Sequence, residues 1–580
     1  MTSKPTASIS KIKFSGEQEF TFHPNDKIIL VGPNNSGKSQ SLREMLALTQ
    51  NPDGQRPIVV SEVEIQKAGT AANLTAFLEE NGELVGGHYR YKDWHLNADY
   101  VKFWSNEGLI NGLAPGFIKN IDANNRLKIC AQQSSISPGQ QKSKPQHVLY
   151  DDEALMSKIS ELFRKAFGKD LMFDFRGGSV LPIHVGDLPD GELADRVGDA
   201  YVAAVRSNPL LDQQGDGMKS YAGILFEAVV SDLSITLLDE PEAFLHPPQM
   251  RRLGETLASE VSGQLIVATH SSDIMRGFLE GTKGEVRVLR IRREGDANFV
   301  SEAAPQVIQE LWSQPELRYS NALEGVFHEE TIICEDDSDC RLFNAIADHL
   351  ASKDSNPWKD TAYVPTGGKH GIRKVAEVLR KIGVPIKAVF DIDFLNDKSL
   401  VKETVLAFGG SWDEFDDLWE RVDKAVKGGR GNKSIDQIKK EMISKIEGWT
   451  DGKPPRSDII EAMKQTSAWN QVKSFGVDGI PAGNAQSDYD TLKQRLENIG
   501  IYLVPVGEVE NFCRSLGSHG PKFVNKLLTT VPFDDPKLDG LRSFVELVHK
   551  GSHAPLQEAV KEEGGSHGEA METVPQAMDV

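Results

Sequence analysis

The segment Gly32-Pro33-Asn34-Asn35-Ser36-Gly37-Lys38-Ser39 fits the pattern GxxxxGK[ST] in full. Glycines at this spacing let a backbone wrap closely round phosphate, with successive N–H groups turned inward as an anion nest at a helix N-terminus. Lys38 then reaches the β- and γ-phosphates of a nucleoside triphosphate, and the Ser39 hydroxyl ligates Mg²⁺. A second segment, Leu237-Leu238-Asp239-Glu240-Pro241-Glu242, brings the carboxylates that this chemistry needs. Asp239 suits a role in holding the metal through water, and Glu240 suits polarisation of the attacking water. His270, in the run Ala-Thr-His-Ser-Ser-Asp, falls where a γ-phosphate sensor is wanted.

Another set of acids lies further along. Glu335 follows the apolar run Thr331 to Cys334, and Asp339 comes four residues later. The pair Asp391-Ile392-Asp393 ends the run Lys387 to Phe390. Two acids spaced two apart in an extended segment point the same way. They can then converge on a hard cation such as Mg²⁺, which accepts oxygen ligands and keeps waters for exchange with phosphate. One acidic cluster alone reads as a solvated loop. Acids at successive strand C-termini read differently, because ligands gather there in open α/β sheets.

The elements that must position these groups are legible as short apolar runs. Lys27 to Gly32, Ser231 to Glu240 and Gln264 to His270 each end in one of the functional segments, as strands buried on both faces of a largely parallel sheet do. Helical patterns follow, notably Ser39 to Leu48 and Pro248 to Val261, so the first half is an α/β layer structure. A region at about 140–200 reads as a helical insert. A connector at 306–328 leads to a second strand–helix alternation over 329–560, interrupted by a charged helical insertion at 400–497 with a Gly-rich centre. The last residues, 561–580, have little to bury and read as a disordered tail.

At 580 residues the chain is too long for one core. With 39% apolar and 26% charged residues it has the composition of a globular protein. The net charge of −20 argues against a surface coated with nucleic-acid contacts, though not against a local basic groove. Lys424, Lys427, Arg430 and Lys433 in the insertion could supply one, but a solvated helical face is the plainer reading. Cys130, Cys334, Cys340 and Cys513 are scattered without metal-binding spacing, which suits a reducing cytoplasm. Neither a signal peptide nor a membrane span is expected.

Together, GPNNSGKS, LLDEPEAFLHP and ATHSSD resemble the ABC-type ATPases of the structural-maintenance and RecF kind. The resemblance implies an ABC-type P-loop ATPase head over 1–305, with ATP sandwiched between two heads. A homodimer or higher oligomer through the heads follows. Gly215 to Ser220 resembles the signature segment that covers the partner's nucleotide, so Gly217, Lys219 and Ser220 become donors to a γ-phosphate in trans. Gln132 or Gln133 would be the Q-loop glutamine.

The second half resembles the Toprim fold, with Glu335, Asp339, Asp391 and Asp393 matching its acidic positions in order. The family form has Gly directly after the first Glu, where this chain has Asp336. Glu508 and Glu510 resemble the late acidic motif, and Pro365 to Gly371, with Lys369, resembles the Gly-rich connection. Lys522, Lys526, Lys550 and Lys561 are candidates for a nuclease lysine after that motif. Two metal ions about 4 Å apart would activate water and stabilise the leaving oxygen.

ATPase followed by Toprim is the layout of the overcoming-lysogenization-defect (OLD) nucleases. The resemblance implies an ATP- and Mg²⁺-using endonuclease (Mn²⁺ being an alternative ion at the nuclease site) that cuts DNA in anti-phage defence. A retron or a helicase-like protein would be its partner. The alternatives are an ATP-gated DNA-repair ATPase with an inactive Toprim domain, a nuclease for RNA such as tRNA, and a primase-like polymerase.

Overall fold

The computed structural model describes residues 3–556 apart from 53, 55–57, 138–139, 189–195, 315–316, 318–320, 429–434 and 450–467. The expected tail at 561–580, with Lys561, and the Gly-rich centre of the insertion after Gly428, with Arg430 and Lys433, lie outside the described residues.

The first half is built on strands β1 (Lys27–Val31), β2 (Ile118–Ile121), β3 (Ile235–Asp239), β4 (Gln264–Ala268), β5 (Arg287–Glu294) and β6 (Ala297–Glu302). Their order in the sheet is β6-β5-β1-β4-β3-β2, parallel throughout except for the antiparallel edge pair β5–β6. Ile28 to Val31, and all of β3 and β4, are buried. Strands covered on both faces read as continuous apolar runs, which is why these three show plainly in the sequence. Because β1, β4 and β3 are adjacent and parallel, the segments after Val31, Ala268 and Asp239 emerge at one edge of the sheet. Helix α1 (Lys38–Gln50) follows β1, α2 (Asp216–Ile224) precedes β3, and α3 (Ser272–Gly281) follows β4.

The insert at 140–200 is not purely helical. Helices Pro145–Asp151 and Glu153–Phe167 are followed by the antiparallel pair Asp170–Phe173 and Ile183–Gly186. Four-residue apolar strands carry too few positions for periodicity to separate them from helix.

The second half has strands β7 (Glu330–Cys334), β8 (Thr361–Pro365), β9 (Ile386–Phe390) and β10 (Ile501–Leu503), all parallel, in the order β8-β7-β9-β10. Helices α4 (Asp337–Ala351) and α5 (Lys369–Lys381) follow β7 and β8. Between β9 and β10 the chain makes helices Lys398–Ala407, Asp416–Gly428, Ile435–Glu447, α6 (Ala468–Phe475) and Asn484–Asn498. The crossover returns the chain beside β9, so the C-terminal ends of β7, β9 and β10 lie side by side.

One buried apolar cluster runs through both halves, from Val31 and Leu238 to Ile333 and Phe390. Polar groups pin the same junction. Arg290 of β5 is buried and donates to the carbonyls of Val326 (3.2 Å), Gly383 (2.8 Å) and His328 (2.7 Å). Ser301 Oγ donates to Ile382 O at 3.0 Å, and Ser272 Oγ donates to the Glu324 carboxylate.

Candidate functional sites

The phosphate loop folds as its residues require. Gly32 has φ 138° and Gly37 φ 99°, conformations that L side chains rarely adopt. A Cβ at Gly32 would lie 2.1 Å from Ile291 O, so the loop packs directly on β5. Asn298 Nδ2 donates to Ser36 O at 2.6 Å and holds the loop from β6. Lys38 Nζ curls back to the carbonyls of Gly32 and Pro33, at 2.8 Å each. Burial pulls its pKa down to about 8, against the pull of Glu242, Glu240 and Asp239. An ammonium kept in a partly dry loop gains much from an arriving phosphate.

Asp239 and Glu240 stand at the end of β3. Burial raises the Asp239 pKa, and the Ser39 hydroxyl opposes this by hydrogen bonding to the carboxylate. The other oxygen, Oδ1, is buried without a hydrogen-bond partner. Ser39 hydroxyl and Asp239 carboxylate thus meet as an oxygen pair that fits a nucleotide-bound Mg²⁺. Glu240 has φ 45°, which costs a non-glycine residue about 1–3 kcal/mol, and its carboxylate is half exposed. His270 Nε2 is 3.9 Å from Glu240 Oε1. Burial and then Lys38 lower the His270 pKa to about 4, so the ring is neutral at pH 7.

Two groups that hold this edge escaped the sequence reading. Glu242 is half-buried and accepts from Thr269 Oγ1 (2.8 Å) and from the His270 amide (2.6 Å), which fixes the turn carrying the histidine. Arg126, fully buried, donates to the carbonyls of Asp239 (2.9 Å) and Glu240 (2.8 Å). Glu242 was within a motif already noticed; a single arginine far upstream gave no signal.

The signature-like segment opens α2. A Cβ at Gly217 would lie 2.7 Å from Phe244 O, and Lys219 pairs with Asp216 at 2.7 Å. Ser220 departs from expectation: it is fully buried, and its Oγ donates to Ala243 O at 3.2 Å. One turn into α2, its side chain falls on the inner face, which corrects its assignment as a phosphate donor. Gln132 contacts Asp212 (3.0 Å), and Gln133 contacts Ala131 O (2.8 Å).

The second site gathers at the ends of β7, β9 and β10. Glu335 Oε1 accepts from the Asp391 amide at 3.3 Å, so the first and third strands share a contact. Asp336 is extended (φ −128°, ψ 159°), and its amide donates to Asp339 Oδ2 at 3.3 Å. An extended residue here needs no glycine, which accounts for Asp336 at the position where the family form has Gly. Glu508, Glu510 and His519 bring ligand atoms within 4.8 Å of one another. Glu510 also accepts from the Gly520 amide at 2.7 Å.

The electrostatics are those of crowded carboxylates. Burial first, then Asp391, pushes Glu335 and Asp339 each up to about 7. Burial lifts Asp391 to about 6 against the pull of Lys473. Asp393 is instead held low: burial alone would raise it, but Lys473 and Lys369 more than compensate. Lys369 Nζ lies 2.9 Å from Asp393 Oδ2, so the Gly-rich connection delivers its lysine to the site. Hard oxygen donors that resist ionising together fit one or more divalent cations, which would favour the charged forms. Bound there, such an ion supplies Lewis-acid polarisation of phosphate and of water.

The lysines suggested by chain order behave otherwise. Lys526 donates to Leu516 O (2.9 Å), and Lys550 pairs with Asp354 (3.1 Å) and Glu546 (2.7 Å). Lys522 is exposed. The second lysine at the acids, beside Lys369, is Lys473 of α6, which reaches Asp391 Oδ2 (2.8 Å), Asp393 Oδ1 (3.3 Å) and Glu508 Oε2 (4.0 Å). It precedes the late motif and sits in the helical insertion, where nothing in its sequence context marked it.

Comparison with known proteins finds a family model in each half of the chain. Residues 27–276 match a family model for an AAA domain, whose description names the AbiEii toxin and a type IV TA system. Residues 326–393 match the model of the overcoming lysogenization defect protein-like TOPRIM domain. Among solved structures, the chain is similar to the Smc head domain of Pyrococcus furiosus, with an extended coiled coil and the C-terminal domain of ScpA bound. That match has 11% identity and a TM-score of 0.33, covering 53% of this chain and 99% of that one. It is also similar to the SMC head domain from Thermotoga maritima, at 12% identity and a TM-score of 0.28, covering 52% and 100%. A search of curated proteins returned no match. The two domains define an ATPase joined to a metal-dependent Toprim nuclease. The chain thus joins an AAA-type ATPase domain to a TOPRIM domain like that of the overcoming lysogenization defect protein.

Proposed function

We propose that the chain is an ATP-controlled endonuclease that cleaves DNA phosphodiesters and acts in defence against phage. The observation that carries the nuclease reading is the convergence of Glu335, Asp339, Asp391, Asp393 and Glu508 with two lysines at one sheet edge. Glu335, Asp339 and Asp391 would be the first ligands of Mg²⁺ or Mn²⁺, with Asp393, Glu508 and Glu510 completing the acidic set beside them. Lys38, Ser39 and Asp239 would hold ATP and its Mg²⁺, Glu240 would orient the attacking water, and neutral His270 would sense the γ-phosphate. Association of two heads over ATP, with Gly217 and Lys219 of α2 facing the partner's nucleotide, would make the working unit a homodimer.

The test incubates purified protein with plasmid DNA and with RNA, in Mg²⁺ or Mn²⁺, with and without ATP. DNA cleavage that falls at least about 100-fold in Asp393→Ala is the expected result. Cleavage that persists in that variant would overturn the site. RNA cut while DNA survives would move the substrate to RNA. Light scattering with ATP and Glu240→Gln protein tests the dimer, which a monomer under every nucleotide condition would exclude.

A further inference from the structure

We propose that Lys473 is a built-in cation of the nuclease centre, filling one of the two positions that its carboxylates could otherwise give to divalent ions. The inference rests on the reading of those carboxylates as a metal centre. Lys473 Nζ sits among Asp391 Oδ2 (2.8 Å), Asp393 Oδ1 (3.3 Å) and Glu508 Oε2 (4.0 Å), acids from the ends of β9 and β10. One positive charge there does the electrostatic work of an ion at the same place, and it repels a second ion.

The position is built by the backbone and is not a chance of one rotamer. Gly507 has φ 101°, and a Cβ there would lie 1.9 Å from Lys473 O, so only glycine lets the two segments touch. Asn511 Nδ2 donates to Lys473 O (3.1 Å) and to Ser474 O (3.4 Å), and Arg514 Nη2 donates to Ser474 O (2.7 Å). The loop that carries Glu508 and Glu510 therefore clamps the backbone that carries the lysine. α6 also packs against the turn Ile392–Asn396 after β9, which holds Asp393 and directly follows Asp391.

The charges are divided unevenly across the centre. Asp393 is neutralised twice, by Lys473 and by Lys369 at 2.9 Å. Among the described residues, no ion pair is formed by Glu335 or Asp339. A divalent ion is thus drawn to Glu335, Asp339 and the free side of Asp391, while the Asp393–Glu508 side already has its cation. Lys473 acts through the carboxylates it holds and is a positioning residue.

Mn²⁺ titrated into the full chain without nucleotide, with free ion followed by electron paramagnetic resonance, tests this. Wild type and Lys473→Arg should bind one ion tightly. Lys473→Met should bind a second ion at least roughly tenfold more tightly than wild type does, once the like charge is removed. In EDTA the Lys473→Met protein should melt lower than wild type and gain more from Mn²⁺, a shift that lost packing alone would not produce.

Two equally tight ions in wild type, or affinities unchanged in Lys473→Met, would overturn the inference and leave the metal centre standing. Glu335→Gln separates the two readings, since it should remove the tight ion. Absence of any ion in wild type would overturn the metal centre and the inference together. Should Lys473→Met fail to fold, the ion count in wild type and Lys473→Arg still decides.

Discussion

Glu335 and Asp339 share a burden that fixes how the centre responds to pH. Burial and then the neighbouring Asp391 raise each carboxyl to about 7, and burial raises Asp391 to about 6 against the pull of Lys473. Between about pH 4 and 7 the folded chain then holds protons that the unfolded chain has lost. Stability of the metal-free protein therefore falls as pH rises through that window. Divalent ions bind the ionised forms, so their contribution grows over the same range. Melting curves should show a larger Mg²⁺-induced rise in Tm at pH 8 than at pH 6, and Asp391→Asn should reduce the difference. At the other site, Glu240→Gln should still bind ATP but hydrolyse it about 100-fold or more slowly, read by nucleotide binding against phosphate release. Residues of this kind were legible because acids recur at the ends of successive apolar runs, where ligands gather in open α/β sheets. Lys473, Arg126 and Arg290 were not, since each acts through contacts with segments distant in sequence.

At the level of elements, the meeting of β10 and α6 depends on Gly507. An alanine there meets both a left-handed backbone and a carbonyl 1.9 Å from its Cβ. Gly507→Ala should cost about 1–3 kcal/mol and push the Lys473 segment off the acids. DNA cleavage should fall at least about tenfold while ATP hydrolysis stays at the wild-type rate, a split that parallel assays would show. The strands that carry the sites were readable because burial on both faces leaves no alternation to confuse, as in Ile28 to Val31 or Ile386 to Phe390. The strand Arg287–Glu294 was missed because it mixes arginines with apolar residues at the sheet's antiparallel edge. The pairing of Asp170–Phe173 with Ile183–Gly186 was missed because only tertiary contacts separate so short a run from helix.

Across the whole molecule, the two sites share a frame in β5. Ile291 O packs on Gly32 of the phosphate loop, and the preceding residue, Arg290, holds the carbonyls of Val326, His328 and Gly383. Val326 and His328 lead into β7, which ends at Glu335, and Gly383 leads into β9, which ends at Asp391. A second link runs from the histidine turn, where Ser272 donates to Glu324, again just before β7. A phosphate that shifts the loop or His270 would therefore press on strands whose far ends carry the nuclease acids. If these links transmit nucleotide state, removing the guanidinium should leave both chemistries present but less responsive to each other. Arg290→Met leaves three buried carbonyls without their donor, at a cost of about 3 kcal/mol or more, so it should be assayed well below its lowered Tm. There, ATP hydrolysis and metal-dependent cleavage should each remain within about threefold of wild type, while the ratio of cleavage with ATP to cleavage without it moves toward one. Ser272→Ala should shift that ratio in the same direction with little loss of stability. An unchanged ratio in both variants would mean that the junction only fastens the two halves together, and that nucleotide control passes between subunits instead.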